Sequence, residues 1–161
     1  MTEPALDLEA AILGEIASRG PIPFARFMEI CLYHEPLGYY SRGVGGGGGR
    51  DYVTSSGLHS AFGALLLRQV EEMWRGLDRP ARFDFVEFGP GEGWFARDFL
   101  TGAARRAEFS SALRYCLVER SPALGARQRA RLEGLAAGEV RWATEDDLES
   151  ERPIVGCLFA N

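Results

Sequence analysis

The sequence contains no lysine, because all 18 of its basic residues are arginine. A primary amine is required by the phosphate-binding loop of P-loop nucleotidases, by the ATP-binding strand of protein kinases and by Schiff-base enzymes. These classes of function are therefore excluded, together with most phosphoryl-transfer chemistry.

Histidine and cysteine are also scarce. The two histidines, His34 and His59, are too few for a histidine-rich metal site, so we expect no metal. The cysteines Cys31, Cys116 and Cys157 lie far apart in apolar stretches. This pattern predicts small hydrophobic residues rather than metal ligands or disulfides, and it indicates a reducing compartment. We accordingly expect a cytoplasmic protein.

Long apolar runs and excess positive charge are missing as well. No window approaches the roughly 18 consecutive apolar residues of a membrane span, and the acidic start of the chain resembles neither a signal peptide nor a transit peptide. The net charge of −5 argues against a nucleic-acid partner. A composition of 46% hydrophobic and 25% charged residues is typical of a globular protein that does not bind membranes.

Residues 1–78 are predicted to form an N-terminal helical segment. Apolar residues recur at helical spacing over residues 6–19, 24–33 and 58–74. Between the second and third helices, residues 41–50 include six glycines, which predict a mobile loop that could serve as a lid.

From residue 79 the pattern alternates between strands and helices. Strands are predicted at residues 83–88, 113–118, 140–143 and 154–160, with helices at 92–106 and from Pro122, where Ser121 is the N-cap. This alternation predicts an α/β fold with a doubly wound, mostly parallel, Rossmann-like sheet. The fourth strand is apolar on both faces, so we expect residues 79–161 to be the first half of a longer domain. The fragment alone should then self-associate, for example as a homodimer.

A glycine-rich turn follows the first predicted strand. It contains Gly89, Pro90, Gly91 and Gly93, and Glu87 lies just before it. Glycines permit a close approach of backbone to ligand, and the N-terminus of the next helix offers free N–H groups to an anion. S-adenosylmethionine fits this pattern, because helix N–H groups can bind its carboxylate and Glu87 can face its ammonium.

Acidic residues also follow the second and third predicted strands. Glu119 can accept hydrogen bonds from both ribose hydroxyls, and Asp146 can contact the adenine amino group. The alternatives are a solvated strand-end residue for Glu119 and a solvated acidic turn for Asp146 and its neighbours.

The sequence resembles the MidA-type class I S-adenosylmethionine-dependent methyltransferases, a family that includes a mitochondrial protein arginine methyltransferase. The resemblance runs in order along the chain and rests on these segments: GPIPFARFME at 20–29, LYH at 32–34, GYYS at 38–41, DYVTS at 51–55, FG at 62–63, VEFGPG at 86–91, LVE at 117–119 and AN at 160–161.

The resemblance implies a sheet of order 3-2-1-4-5-7-6, of which strands 3-2-1-4 are present. It implies that Asp51, Thr54 and Ser55 form a lid over the cofactor and that Asn161 lies beside its methionine end. Helix N-cap material is the alternative for residues 54–56. The implied activity is methylation of a protein, with an arginine side chain as acceptor.

Two departures from the family pattern leave alternatives open. Ser56 and Gly57 replace a Pro-Glu pair, and Glu92 stands where arginine is common. A non-catalytic cofactor-binding module acting in assembly or regulation is therefore the alternative function. An NAD-dependent oxidoreductase is disfavoured, because Trp94 occupies a position where the dinucleotide motif needs glycine.

The sequence identifies no catalytic residue. Orienting a guanidinium usually requires carboxylates, for which Glu29, Glu35 and Asp51 are candidates; the alternative for each is an ordinary surface residue.

Overall fold

The computed structural model describes residues 3–42, 59–150 and 153–161. Most of the glycine-rich loop and the predicted lid residues Asp51, Thr54 and Ser55 therefore lie outside the described residues. In the described part, the elements follow in this order: α1 (Glu3–Arg19), α2 (Phe24–Tyr33), α3 (Ala61–Gly76), β1 (Phe83–Phe88), α4 (Trp94–Ala103), α5 (Ala107–Ala112), β2 (Leu113–Val118), α6 (Pro122–Leu132), β3 (Glu139–Ala143), α7 (Glu145–Ser150) and β4 (Gly156–Ala160).

The four strands form one parallel sheet of order β3-β2-β1-β4. In the register of this sheet, Val86 of β1 pairs with Cys116 of β2 and with Leu158 of β4. Helices connect successive strands, as a parallel sheet requires. The predicted Rossmann-like fold class and the strand order 3-2-1-4 are confirmed.

The larger core lies between the sheet and the helices α3 and α4. Phe85 of β1 stacks on Phe99 of α4 with 4.7 Å between ring centroids, and Phe95 stacks at the same distance on Phe159 of β4. Leu67 of α3 is fully buried in the same cluster. A smaller cluster, which includes Val86 and Cys116, covers the opposite face of the sheet. Because β1 is buried on both faces, it is continuously apolar except for two acidic side chains.

The two N-terminal helices are joined to each other and to the end of β2. Both carboxylate oxygens of Glu15 accept hydrogen bonds of 2.9 Å from the guanidinium of Arg26. Glu29 of α2 forms ion pairs with Arg26 at 2.7 Å and with Arg120 at 2.9 Å. These arginines lower the pKa of Glu29, which gives this candidate catalytic carboxylate a structural role. The helices thus lie beside the carboxyl end of the sheet.

Helices α4, α5 and α7 differ from the sequence prediction. Helix α4 begins at Trp94 because Gly93 is left-handed, and the short helix α5 was not predicted. Helix α7 occupies the segment interpreted as an acidic turn. Thr144 and Asp147 cap it reciprocally: the Thr144 N–H donates to Asp147 Oδ2 at 2.7 Å, and the Asp147 N–H donates to Thr144 Oγ1 at 3.2 Å. Of the cysteines, Cys116 is buried as predicted, whereas Cys31 and Cys157 are only partly buried.

Candidate cofactor-binding site

The turn after β1 opens towards free space at the carboxyl edge of the sheet. Gly89, Gly91 and Gly93 have φ values of 60°, 55° and 80°, which side chains rarely adopt. A Cβ built on Gly89 or Gly91 would meet no atom within 4 Å. Pro90 is buried between them, and its carbonyl accepts a 2.9 Å hydrogen bond from the Gly93 N–H. The turn therefore has room for a ligand against its backbone.

Helix α4 begins at this turn without a side-chain cap. Its N-cap residue is Gly93, which has no side-chain oxygen to satisfy the first N–H groups of the helix. These N–H groups, together with the positive end of the helix dipole, are suited to bind a carboxylate.

Glu87 lies beneath the turn, almost completely buried. Its side chain is the partner of Tyr115 on β2, whose hydroxyl donates to Glu87 Oε2 at 2.6 Å. Burial raises the pKa of Glu87 to about 7, while the Tyr115 hydrogen bond opposes the shift and the negative charge of Glu119 adds to it. A cationic group held nearby would favour the ionised form of this carboxyl.

Glu119 follows β2 and has both carboxylate oxygens held by helix α6. Oε1 accepts a 2.8 Å hydrogen bond from the Ser121 N–H, and Oε2 accepts a 3.0 Å bond from Gln128 Nε2. Burial raises the pKa of Glu119, and these hydrogen bonds oppose the rise. Because each carboxylate oxygen has a further lone pair, Glu119 can still accept two hydroxyl groups. Ser121 is the N-cap of α6, as predicted: its hydroxyl accepts from the Leu124 N–H at 3.3 Å.

Gln128 is a site residue that the sequence analysis did not identify. It lies on α6, is fully buried, and contacts both the glycine turn and Glu119. A signal was present in the sequence, because Gln128 falls in line with Leu124 and Leu132 on the inward face of the helix. A polar residue in an apolar stripe indicates a buried hydrogen-bonding role.

The negative charge of Glu92, a departure from the family pattern, is offset by arginines from α6. Arg127 forms an ion pair with the Glu92 carboxylate at 2.8 Å, and Arg131 lies 3.4 Å from its other oxygen. The Arg131 guanidinium also donates to the Glu92 carbonyl and stacks on Trp94 at 3.7 Å from the ring centroid. Helix α6 therefore also holds the start of α4.

Asp146 and Asn161 lie at the same edge of the sheet as the two glutamates. Asp146 is exposed in the first turn of α7, directly after β3. Asn161 is exposed after β4, and the pairing of Ala160 with Phe88 places it next to the start of the glycine turn. Because parallel strands end at a common edge, the predicted site residues that the structure describes share one side of the sheet.

The described residues form neither a metal site nor a membrane-spanning helix. Among residues 3–42, 59–150 and 153–161, no three side chains of histidine, cysteine, aspartate or glutamate come together as a metal site would require. No helix in this described part combines the length and apolar character needed to cross a bilayer.

Comparisons with known proteins identify the family. Residues 65–161 match the family model described as "Putative S-adenosyl-L-methionine-dependent methyltransferase". The mitochondrial protein arginine methyltransferase NDUFAF7 homolog of Drosophila melanogaster is 38% identical over 128 residues, which cover 77% of this chain and 28% of that protein. The Xenopus tropicalis NDUFAF7 is 34% identical over 148 residues, or 89% of this chain and 32% of that protein. The chain thus spans about a third of these relatives.

A solved structure is similar along nearly the whole chain. A Burkholderia thailandensis protein, crystallised with S-adenosyl-homocysteine, superposes with a TM-score of 0.73 at 33% identity, covering 98% of this chain and 41% of that one.

The relatives correct one expectation and establish the family. The cytoplasmic location is wrong: the matched proteins from Drosophila and Xenopus are named mitochondrial. Cysteines that form no disulfide bond indicate a reducing environment and do not by themselves single out the cytoplasm. The family model covers more than half of the residues, and the chain belongs to the S-adenosyl-L-methionine-dependent methyltransferase family.

Proposed function

We propose that this chain binds S-adenosylmethionine and forms the cofactor-binding part of an enzyme that methylates an arginine side chain of a partner protein. One observation carries the proposal: Glu87 lies near the end of β1 and Glu119 directly follows the adjacent parallel strand β2, with the open glycine turn beside them. Two carboxylates and a set of free helix N–H groups match the ammonium, ribose and carboxylate of this cofactor.

Each group of the cofactor has a proposed partner. The ammonium faces Glu87, the carboxylate meets the first N–H groups of α4, and the ribose hydroxyls donate to Glu119. Asp146 contacts the adenine amino group, and Asn161 lies beside the methionine end. In this proposal Asp51, Thr54 and Ser55, within the N-terminal segment 1–78, cover the cofactor as a lid. Residues 79–161 form the surface on which the cofactor binds.

The chain's own residues position and shield the reacting groups. The bound cofactor supplies an electrophilic methyl group on a sulfonium. The glycine turn and the two glutamates orient that methyl, and the covering segment excludes water, so neither a lysine nor a metal is needed. This role fits a chain without lysine.

The acceptor is inferred from the relatives. The Drosophila and Xenopus proteins are named protein arginine methyltransferases, and the Burkholderia protein was crystallised with S-adenosyl-homocysteine. An arginine side chain stays protonated throughout the physiological pH range, so the complete enzyme must orient a nitrogen lone pair with carboxylates.

Calorimetric titration with S-adenosylhomocysteine tests the cofactor assignment. We expect saturable binding by the purified protein, weakened at least about tenfold by Glu119→Gln, because two hydroxyls lose a charged acceptor. Glu72→Gln, an exposed position on α3, is the matched control and should bind like the wild type. Absence of binding by the wild type would overturn the proposal.

A transfer assay separates the two candidate functions. Radiolabelled S-adenosylmethionine is incubated with the protein and a mitochondrial lysate, and labelled methylarginine is sought after hydrolysis. Labelled methylarginine supports the enzyme. Binding without any transfer supports instead the non-catalytic cofactor-binding module.

A further inference from the structure

We infer that Gln128 is a positioning residue that fixes the Glu119 carboxylate for recognition of a ribose and links it to the glycine turn. The inference rests on the proposed function, because it concerns how the same site selects its ligand. Gln128 is a fully buried polar side chain on α6, and it can orient Glu119 without touching the ligand itself.

The side-chain amide of Gln128 uses every hydrogen-bonding group that it has at the site. Its Nε2 donates to the Gly91 carbonyl at 2.6 Å and to Glu119 Oε2 at 3.0 Å. Its Oε1 accepts from Trp142 Nε1 at 3.0 Å. One side chain thus joins the turn after β1, the acid after β2 and an indole on β3.

The three partners permit only one orientation of the amide. The indole N–H of Trp142 can only donate, whereas the Gly91 carbonyl and the ionised Glu119 can only accept. A reversed amide would set NH₂ against N–H on one side and oxygen against two acceptors on the other. Trp142 therefore orients the amide, and Arg129 stacks on the indole with its guanidinium 4.1 Å from the ring centroid.

Glu119 is held by the N-cap residue of α6 and by a buried residue within that helix before any ligand arrives. The Ser121 N–H at the start of α6 binds one oxygen, and Gln128, two turns further along, binds the other. The remaining lone pairs of both oxygens are then oriented without a further loss of side-chain freedom. Two neighbouring hydroxyls, as in a ribose, are the ligand that suits two fixed acceptors.

The link to Gly91 extends the effect to the glycine turn. The carbonyl of Gly91 is held by the same NH₂ group that holds Glu119. A Cβ on Gly93 would come 3.3 Å from Gln128 Cγ, so the side chain also packs directly against the turn. Gln128 therefore fixes the position of Glu119, the proposed ribose partner, relative to the glycine turn, where the methionine end is proposed to bind.

The test compares two ligands that differ only in the ribose. Calorimetry gives the dissociation constants of S-adenosylhomocysteine and of its 2′-deoxy analogue for the purified wild type, Gln128→Met, Trp142→Phe and the exposed control Gln69→Met. The wild type and Gln69→Met should prefer the ribose ligand about tenfold. Gln128→Met, which keeps the length but not the amide, should reduce this preference to about threefold or less.

The ratio of the two dissociation constants distinguishes positioning from a general structural role. A destabilised pocket would weaken both ligands by the same factor. A displaced Glu119 weakens the ribose ligand, which loses two hydroxyl contacts, more than the 2′-deoxy analogue, which has only the 3′-hydroxyl contact to lose. Trp142→Phe keeps the amide but removes the donor that orients it, so it should also lower the ratio, by a smaller factor. If Gln128→Met does not fold, Trp142→Phe decides.

The outcomes separate this inference from the function on which it rests. If the wild type does not bind S-adenosylhomocysteine, the proposed function fails and the role of Gln128 fails with it. If the wild type binds with a ribose preference and the folded variants keep the wild-type ratio, only the role of Gln128 is overturned.

Discussion

Ionisation of Glu87 should lower the stability of the unliganded protein but favour binding of the ligand's ammonium group. Burial raises its pKa to about 7 from an ordinary value of 4.5. The folded chain therefore holds a proton more tightly than the unfolded chain between these two values. The stability of the unliganded protein is greatest below pH 4.5 as far as this group is concerned, and it falls as the pH rises through 7, where the buried carboxyl ionises.

Replacement of this carboxyl by an amide should stabilise the unliganded protein and weaken its binding of S-adenosylhomocysteine. Glu87→Gln removes the buried charge, so we expect the free energy of unfolding at pH 8 to rise by about 2 kcal/mol. The gain should shrink as the pH is lowered towards 4.5, and S-adenosylhomocysteine should bind at least about tenfold more weakly. Urea denaturation at pH 5 and pH 8, with calorimetry, measures both effects. A stability change of equal size at the two pH values would contradict the assignment.

The Tyr115 hydroxyl should set the pH range in which the site binds its ligand. Burial is the main cause of the raised Glu87 pKa; the Tyr115 hydroxyl lowers this pKa, and Glu119 raises it further. Because an ammonium favours the ionised carboxyl, affinity for S-adenosylhomocysteine should increase as the pH rises through about 7.

Tyr115→Phe removes the hydrogen bond and should raise the Glu87 pKa further. The pH dependence of binding should then move upward by about one unit. Dissociation constants measured from pH 6 to pH 9 test this shift. Coincident profiles for the wild type and Tyr115→Phe would show that the hydroxyl does not act on the ligand-binding carboxyl.

At the scale of elements, the turn between β1 and α4 depends on a residue without a side chain. Gly93 has a φ of 80°, and a Cβ there would lie 3.3 Å from Gln128 Cγ. Gly93→Ala should lower the free energy of unfolding by about 1–2 kcal/mol and weaken S-adenosylhomocysteine binding. Gly76→Ala at the end of α3 is the control, since its Cβ would have open space and its φ is not positive. Equal stability of the two variants in urea denaturation would contradict the strained geometry.

The elements that could be predicted from the sequence are those with local signals. Strands β1 and β2 begin and end where the apolar runs do, because both are nearly continuous in the core. Helix α6 begins at its predicted cap and proline. Helix α5 has only six residues, too few to establish a periodicity. In β4, pairing begins at Gly156 rather than Ile154, because the preceding Val155 N–H donates to the Asp84 side chain at 3.1 Å.

The candidate site was predictable only in part, for a related reason. Glu87 lies near the end of one strand and Glu119 directly follows the next. Because parallel strands end at the same edge of a sheet, the fold class predicts that both glutamates lie at that edge. Tyr115 and Gln128 act through contacts between elements that are distant in sequence, and a single sequence does not show which side chains such elements bring together. Their roles required the hydrogen-bond geometry.

At the scale of the whole molecule, strand β4 forms one border of the described sheet. Its side chains alternate: Phe159 packs on Phe95 in the core, while Leu158 is 61% exposed on the other face. In the part of the chain that the structure describes, β4 pairs with β1 and with no second strand. An apolar strand with an open edge and an open face favours association with another chain.

The polypeptide of residues 1–161 should therefore self-associate in a concentration-dependent way through β4. Leu158→Lys places a charge on the open face of this strand, and we expect it to weaken self-association at least about tenfold. Leu65→Lys is the matched control, because Leu65 is 65% exposed but lies on α3. Size-exclusion chromatography with light scattering over a range of concentrations gives the mass of each variant. A wild type that stays monomeric at every concentration, or equal weakening by both substitutions, would contradict association through β4.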